Sequence, residues 1–261
     1  MRRTPEQIQK SVVFALMMRE LQTRFGGQLI GLFWVLFEPI ANIVVFLMIR
    51  VILRDRYAGV QMDPSMFLIV AMIPFFVFRN IWFRAAGAGA GNSGLFSYRQ
   101  VKPLDAMIAR SIIEAMIYAV IFAVLVGFFA WTGATVMPGR PLEYMGVVAL
   151  LIIWGLALGL ITAVLGHNRP AVQTFLRLLS MPLYILSGVI IPLSRFPATM
   201  HEYLLWNPLL HLVELTRWAY FPSYQVFRGA NLDYPLSVGL LLFALGMVMY
   251  RVNRLKLIMR T

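Results

Sequence analysis

Residues 144–165 run from Tyr144 to Leu165 without one charged side chain. As a helix, that stretch is roughly 33 Å long at 1.5 Å per residue, enough to cross a hydrocarbon core of about 30 Å. Comparable apolar runs recur at about 29–53, 64–83, 107–131, 172–193 and 236–250. The 261 residues are 60% hydrophobic and 13% charged, against roughly 25% charged in soluble domains. A soluble fold of this size cannot hide so much apolar surface, so lipid is its solvent. The expected fold is an all-α integral membrane protein. It has six transmembrane helices, an N-terminal interfacial helix, and short re-entrant helices between the fifth and sixth spans.

The polar interruptions divide the chain. Val12 to Met18 is too short an apolar core to span, and Arg2, Arg3, Lys10, Arg19 and Arg24 flank it. That pattern fits a helix lying on the membrane surface. Glu20 and Arg24 stand four residues apart in the favourable order. Gly26-Gly27 then break the helix, and the first span follows with Glu38-Pro39 inside it. Pro74 and Arg79 fall in the second span. A loop at 84–106 opens with small residues and closes with aromatics and cations before Pro103. Arg110 and Glu114 lie in the third span at i,i+4, and their plainest reading is a self-neutralising pair. Pro182 and Gly188 break the fifth span. Prolines at 192, 197, 208, 222 and 235 cut the segment 194–235 into pieces too short to cross, as re-entrant elements are. The whole chain reads as one transmembrane domain: an interface helix over 1–28, five spans over 29–193, a gate segment over 194–235, and the last span with its tail over 236–261.

The net charge of +12 does not indicate nucleic acid here, because the cations fall between apolar runs rather than on one patch. With six spans, thirteen cations collect on the side of the termini and six on the other. The positive-inside rule therefore puts both termini in the cytoplasm. Chemistry is sparse. There is no cysteine and no Gly-Lys dipeptide, which excludes thiol sites and the usual phosphate-cradling loop. The three histidines, His167, His201 and His211, form no metal-ligand spacing. The triplet Gly87, Gly89 and Gly91 follows a span rather than a buried strand, so it reads as close helix packing or a bend. A conduit or scaffold fits better than an enzyme; an intramembrane glycosyl or acyl transferase built on Glu38 or Glu114 is the weaker alternative, and an anchoring subunit with no conduit is another.

Two motifs carry a resemblance. The run Arg19-Glu20-Leu21-Gln22-Thr23-Arg24-Phe25-Gly26-Gly27, with Leu32-Phe33-Trp34 and Glu38-Pro39 after it, resembles the opening of permease subunits of type 2 ABC exporters of polysaccharides. Asn207-Pro208-Leu209-Leu210-His211-Leu212-Val213-Glu214-Leu215-Thr216-Arg217 is similar to the pattern that family carries between its fifth and sixth spans. The likeness is nearest to capsular polysaccharide export permeases, with O-antigen and teichoic acid export permeases next.

This resemblance implies an inner-membrane homodimer that moves a lipid-linked polysaccharide outward. Two copies of a separate ATPase would bind ATP and Mg, and a periplasmic adaptor or co-polymerase is a further possible partner. This chain itself would hold no cofactor or metal. Leu95, Phe96, Ser97, Tyr98, Arg99, Gln100, Val101, Lys102 and Pro103 correspond to the coupling helix that docks into the ATPase. Phe96 and Tyr98 are expected to be exposed there beside Arg99 and Lys102. Arg19 and Arg24 are expected at the lipid head group. Asn207, Pro208, His211, Glu214 and Arg217 correspond to the periplasmic gate. A hydrophilic polymer needs a walled, wet path, and aromatic faces stack on sugar rings. Trp34, Phe75, Phe76, Trp82, Trp154, Phe175 and Tyr184 are the aromatic candidates for that wall.

Overall fold

The computed structural model describes residues 4–25, 33, 37, 40–45, 48, 64–91, 94, 96, 98, 100–133 and 136–258. Among these the chain is helical with no strand. The helices are α1 (Pro5–Phe25), α2 (Pro64–Ala86), α3 (Pro103–Trp131), α4 (Pro141–Leu165), α5 (Pro170–Leu186), α6 (Ala198–Leu204), α7 (Pro208–Tyr220) and α8 (Asp233–Ile258). Six of these eight begin on proline. Its fixed φ suits the first helical turn, where the missing N–H would have had no partner. At α3, Asp105 adds a cap, accepting from the Lys102 N–H at 3.0 Å.

Over residues 66–78 α2 is apolar on every side, and it is accordingly the central helix. Met66, Leu68, Ile69, Val70, Ala71, Met72, Phe75, Phe78 and Ile81 are sealed from solvent. α4 lies along it through two glycines. A Cβ at Gly155 would stand 2.7 Å from the Phe78 carbonyl oxygen, and one at Gly159 would stand 2.6 Å from the Ala85 Cβ. Backbones this close are the usual means of packing helices in lipid. α3 and α7 cover other sides of α2, α8 packs on α4, and α1 lies against α3. The outer face of α3 carries Ile112, Met116, Val120, Val124 and Phe128, four residues apart and exposed. Such a stripe suits contact with lipid.

Among the described residues four helices are long and apolar enough to cross a membrane: Ser65–Ala86, Pro103–Trp131, Pro141–Leu165 and Asp233–Leu257. They match the second, third, fourth and sixth expected spans. The third starts earlier than expected because Pro103 and Asp105 set its first turn. The first expected span, about 29–53 with Trp34, Glu38 and Pro39, and the Gly26-Gly27 bend before it fall largely outside the described residues; residues 40–45 of the span are helical. The fifth is shorter than expected. α5 has 17 residues and stops at Leu186 rather than near 193. Pro182 removes a donor from its last turn, and Gly188 has φ +71°, which turns the chain out of the helix. A 3-10 turn (Leu193–Arg195), α6 and α7 follow.

Candidate functional site

Three places gather the polar and aromatic side chains. The first joins α1, α2 and α3. The Glu114 carboxylate in α3 takes Arg24 of α1 at 2.6 Å and Arg84 of α2 at 3.3 Å. Glu20 of α1 takes Arg24 at 3.3 Å and Arg110 of α3 at 3.1 Å. Arg110 also donates to the Arg84 carbonyl at 3.3 Å. Arg24 has only 9% of its side chain exposed and Glu114 only 5%. The pair expected inside α3 is thus split between neighbours. Spacing of i,i+4 makes contact available, but charges arriving from α1 and α2 compete for the same groups. Arg24, expected at a lipid head group, spends its guanidinium on two carboxylates, whereas Arg19 sits at the surface. One cation more than the carboxylates remains in this network.

Beside it lies the segment leading into α3. Leu95, Ser97 and Arg99 are outside the described residues. Tyr98 is 66% exposed, as expected, and Gln100 and Lys102 are exposed too. Phe96 corrects the expectation of an exposed aromatic: it is 5% exposed and packs in a core with Leu16, Ala85, Ala106 and Met107. Its ring is the anchor that holds this segment against α1, α2 and α3. Val101 is half-buried, and Pro103 is buried at the start of α3. Asp105 adds a tie to α1, accepting from the Gln9 side chain at 3.3 Å.

The second place is the aromatic interior. Phe75, Phe76, Trp82, Trp154 and Tyr184, expected on an open wall, are all buried in the helix bundle. Tyr184 of α5 stacks on Phe76 at 5.7 Å and meets Phe75 at 5.1 Å. Trp82 donates to Thr162 Oγ1 at 2.8 Å, and Trp154 donates to the Pro235 carbonyl at 3.0 Å. The reason is the central position of α2, around whose apolar 66–78 stretch the neighbouring helices pack. Phe175 is 63% exposed. Trp34 lies outside the described residues.

The third place is α7 and its surroundings. Asn207 Oδ1 caps the helix, accepting from the Leu209 N–H at 3.1 Å, and Asn207 Nδ2 donates to Ser187 Oγ at 3.0 Å. Pro208 is the first helical residue. His211 Nδ1 accepts from the Asn231 N–H at 3.1 Å, so Nε2 carries the proton and donates to the Leu205 carbonyl at 2.8 Å. Arg217 and Glu214 are fully enclosed and 3.4 Å apart. Arg217 also donates to the Val189 carbonyl at 2.8 Å and lies over the Phe67 ring at 4.2 Å. Tyr224 donates to the second Glu214 oxygen at 2.6 Å. Burial first, then the Glu214 carboxylate, raises the Tyr224 phenol above its ordinary pKa, so it stays protonated. The end of α7 is held by the 136–140 loop: Gly139 and Arg140 N–H donate to Tyr220 and Ala219 carbonyls, each at 2.8 Å. Of the five gate residues named from the sequence, Asn207 and Arg217 make the joint that ties α7 to Ser187 and Val189 at the end of α5 and, through Phe67, to α2. Glu214 neutralises Arg217, while His211 ties α7 to Leu205 and Asn231.

Sequence reasoning missed the partners that complete these places: Arg84 for Glu114, Tyr224 and Val189 for the α7 pair, and the close approach at Gly155 and Gly159. Only the last had a visible signal, a G-x-x-x-G spacing in an apolar run.

Among the described residues no cluster could hold a metal. A family model described as "ABC-2 type transporter" matches residues 11–221. The chain is similar to the "Polysialic acid transport protein KpsM" of Escherichia coli, 38% identical over 253 residues that cover 97% of each chain. It is similar to the "Capsule polysaccharide export inner-membrane protein CtrC" of Neisseria meningitidis serogroup B, 30% identical over 93% of this chain and 91% of the relative. The "Capsule polysaccharide export inner-membrane protein BexB" of Haemophilus influenzae is 28% identical over 94% of this chain and 91% of its own length.

Proposed function

This chain belongs to the ABC-2 type transporter family, and from that premise we propose that it is the membrane-spanning permease of a capsular polysaccharide exporter in the bacterial inner membrane. The observation that carries the reading is near end-to-end similarity to relatives named for polysialic acid transport and capsule polysaccharide export. The chemistry agrees. The chain has long apolar helices and no Gly-Lys dipeptide for a phosphate loop, so ATP and Mg belong to a separate ATPase subunit.

In this reading two copies of the chain and two ATPase subunits assemble, with six spans per copy and both termini in the cytoplasm. Residues 95–103 meet the ATPase. Tyr98 supplies the exposed aromatic, while Phe96 fixes the segment to the bundle so that a push from the ATPase reaches α3. Residues 194–235 form the periplasmic gate, where a periplasmic adaptor or co-polymerase would bind. The surface Arg19 meets the anionic head group of a lipid-linked chain. Glu114 is held between two arginines, Arg24 and Arg84.

Complementation tests this. The gene, expressed with its ATPase in a capsule-forming cell deleted for its own export permease and ATPase, should restore surface capsule. If polymer stays inside while the complex assembles, and lipopolysaccharide O-antigen or teichoic acid export is restored in corresponding mutants, the substrate class is wrong.

A further inference from the structure

Most of the described arginines that pack against the bundle have a hydrogen-bonding partner. Arg24, Arg84 and Arg110 share Glu20 and Glu114, and Arg217 has Glu214. Arg140 donates to the Trp218 carbonyl at 2.8 Å and lies over the Trp218 ring at 4.2 Å. Arg79 differs. It sits in α2, seven residues before Ala86, roughly 10 Å from the helix end. Its guanidinium lies 4.6 Å from the Phe76 ring centroid, and among the described residues no carboxylate is within ion-pair distance. It is half-buried, so its outer edge is reachable.

A cation at this depth in an apolar helix is costly and by default marks a place where something charged is met. The face of Phe76 returns part of that cost and fixes where the charge sits. Phe76 is itself stacked on Tyr184 at 5.7 Å, and Asn80 next to Arg79 is tied down by bonds to the Phe76 carbonyl at 3.0 Å and to Tyr118 Oη at 2.7 Å. The cation is thus held on a rigid aromatic mount, with its hydrogen-bond donors unused by the described chain. A long flexible side chain that merely snorkelled to the interface would need no such mount.

We propose that Arg79 is a binding subsite for an oxyanion, a carboxylate or a phosphate, within the membrane region. Its guanidinium geometry offers paired donors to either group. Two sources carry that chemistry: acidic units of the exported polymer, a source that rests on the capsule-export reading above, and phosphate of a membrane lipid. The positions of Phe76 and Tyr184 then acquire a role: they do not wall the path but hold the charge that faces it.

The test uses the full permease–ATPase complex in nanodiscs, with Arg79→Gln and Arg79→Lys. Two probes are run in parallel. One is polysialic acid, beside the same polymer with its carboxyls reduced to alcohols, read by the concentration that half-stimulates ATP hydrolysis. The other is phosphatidylglycerol in phosphatidylcholine, read by native mass spectrometry of retained lipid. A carboxylate subsite predicts at least a tenfold rise in the half-stimulating concentration for Arg79→Gln, a smaller rise for Arg79→Lys, which keeps the charge but loses the paired donors, and no difference on the reduced polymer. A lipid subsite predicts loss of one retained phosphatidylglycerol per permease copy, two per complex, in Arg79→Gln alone. If Arg79→Gln matches the parent chain with both probes, Arg79 is not an anion site. Should the parent chain ignore every polymer, the capsule-export reading fails separately, and the lipid measurement alone decides Arg79.

Discussion

Among the described residues two enclosed ionic sites stand out, and they are built on opposite principles. The α7 pair, Glu214 and Arg217, is three residues apart on one helix and fully sealed. The network of Glu20, Arg24, Arg84, Arg110 and Glu114 draws on three helices, and its Arg84 side chain is 50% exposed. Inside one helix, partners arrive together as the helix forms, and the rest of the fold has only to enclose them. Across helices, the pairing exists only once α1 and α2 have docked on α3. The first site is therefore a fixed joint. The second is a clasp whose strength measures how firmly the surface helix α1 is held. A sealed charge that loses its partner has no water to turn to, so the two sites respond differently to the same kind of substitution.

The largest effect is expected at the joint. Arg217→Met leaves the Glu214 carboxylate enclosed with only Tyr224 as a donor, a loss of about 3–5 kcal/mol. The detergent-solubilised protein should unfold at a much lower temperature or fail to accumulate. Adding Glu214→Leu to Arg217→Met should recover more than half of that loss, because a well-packed apolar pair costs little. A double variant as unstable as the single one would mean that the bond from Arg217 to the Val189 carbonyl, rather than the buried charge, dominates.

Next in size is the anchor of the clasp region. Phe96→Ala empties a packed site and should cost about 3 kcal/mol. Measured stability should fall before any specific loss of ATPase binding is seen. Normal thermal stability together with lost ATPase recovery would put the ring at the subunit interface instead.

At the clasp itself, Glu114→Gln keeps an acceptor oxygen but removes the negative charge shared by Arg24 and Arg84. The expected cost is about 1.5–3 kcal/mol, softened by water at the half-exposed Arg84. The bundle should stay folded while α1 loosens, so limited trypsin digestion should cut faster near Arg19 and Arg24. Uniformly faster cutting across the chain would show that the clasp is a joint like the other one.

Smallest in stability is Tyr98→Ala, within about 0.5 kcal/mol, because the side chain is 66% exposed. Its effect should appear only in ATPase pull-down, as weaker recovery. Unchanged recovery and unchanged export would remove Tyr98 from the coupling contact.

The sequence by itself determined the solvent, the all-helical class and where four of the spans lie, to within a few residues at their starts. Those properties are additive along the chain: an apolar run of sufficient length, or a proline whose φ is already set, acts wherever it stands. The sequence also named the residues of the α7 joint and of Arg24, since motif and composition are local. Only the tertiary structure decided what these residues do. Arg110 and Glu114 had a satisfactory partner in each other by spacing, yet Glu20, Arg24 and Arg84 take them. Phe96 and Tyr98, two residues apart in one loop, part company, with one in the core and the other in solvent. Phe75, Phe76 and Tyr184, plausible on a wall, turn inward because α2 runs through the middle of the bundle. Periodicity defines which side chains share a face, but the choice of neighbour for that face depends on desolvation and close packing among helices distant in sequence, and that sum exists only in the folded molecule.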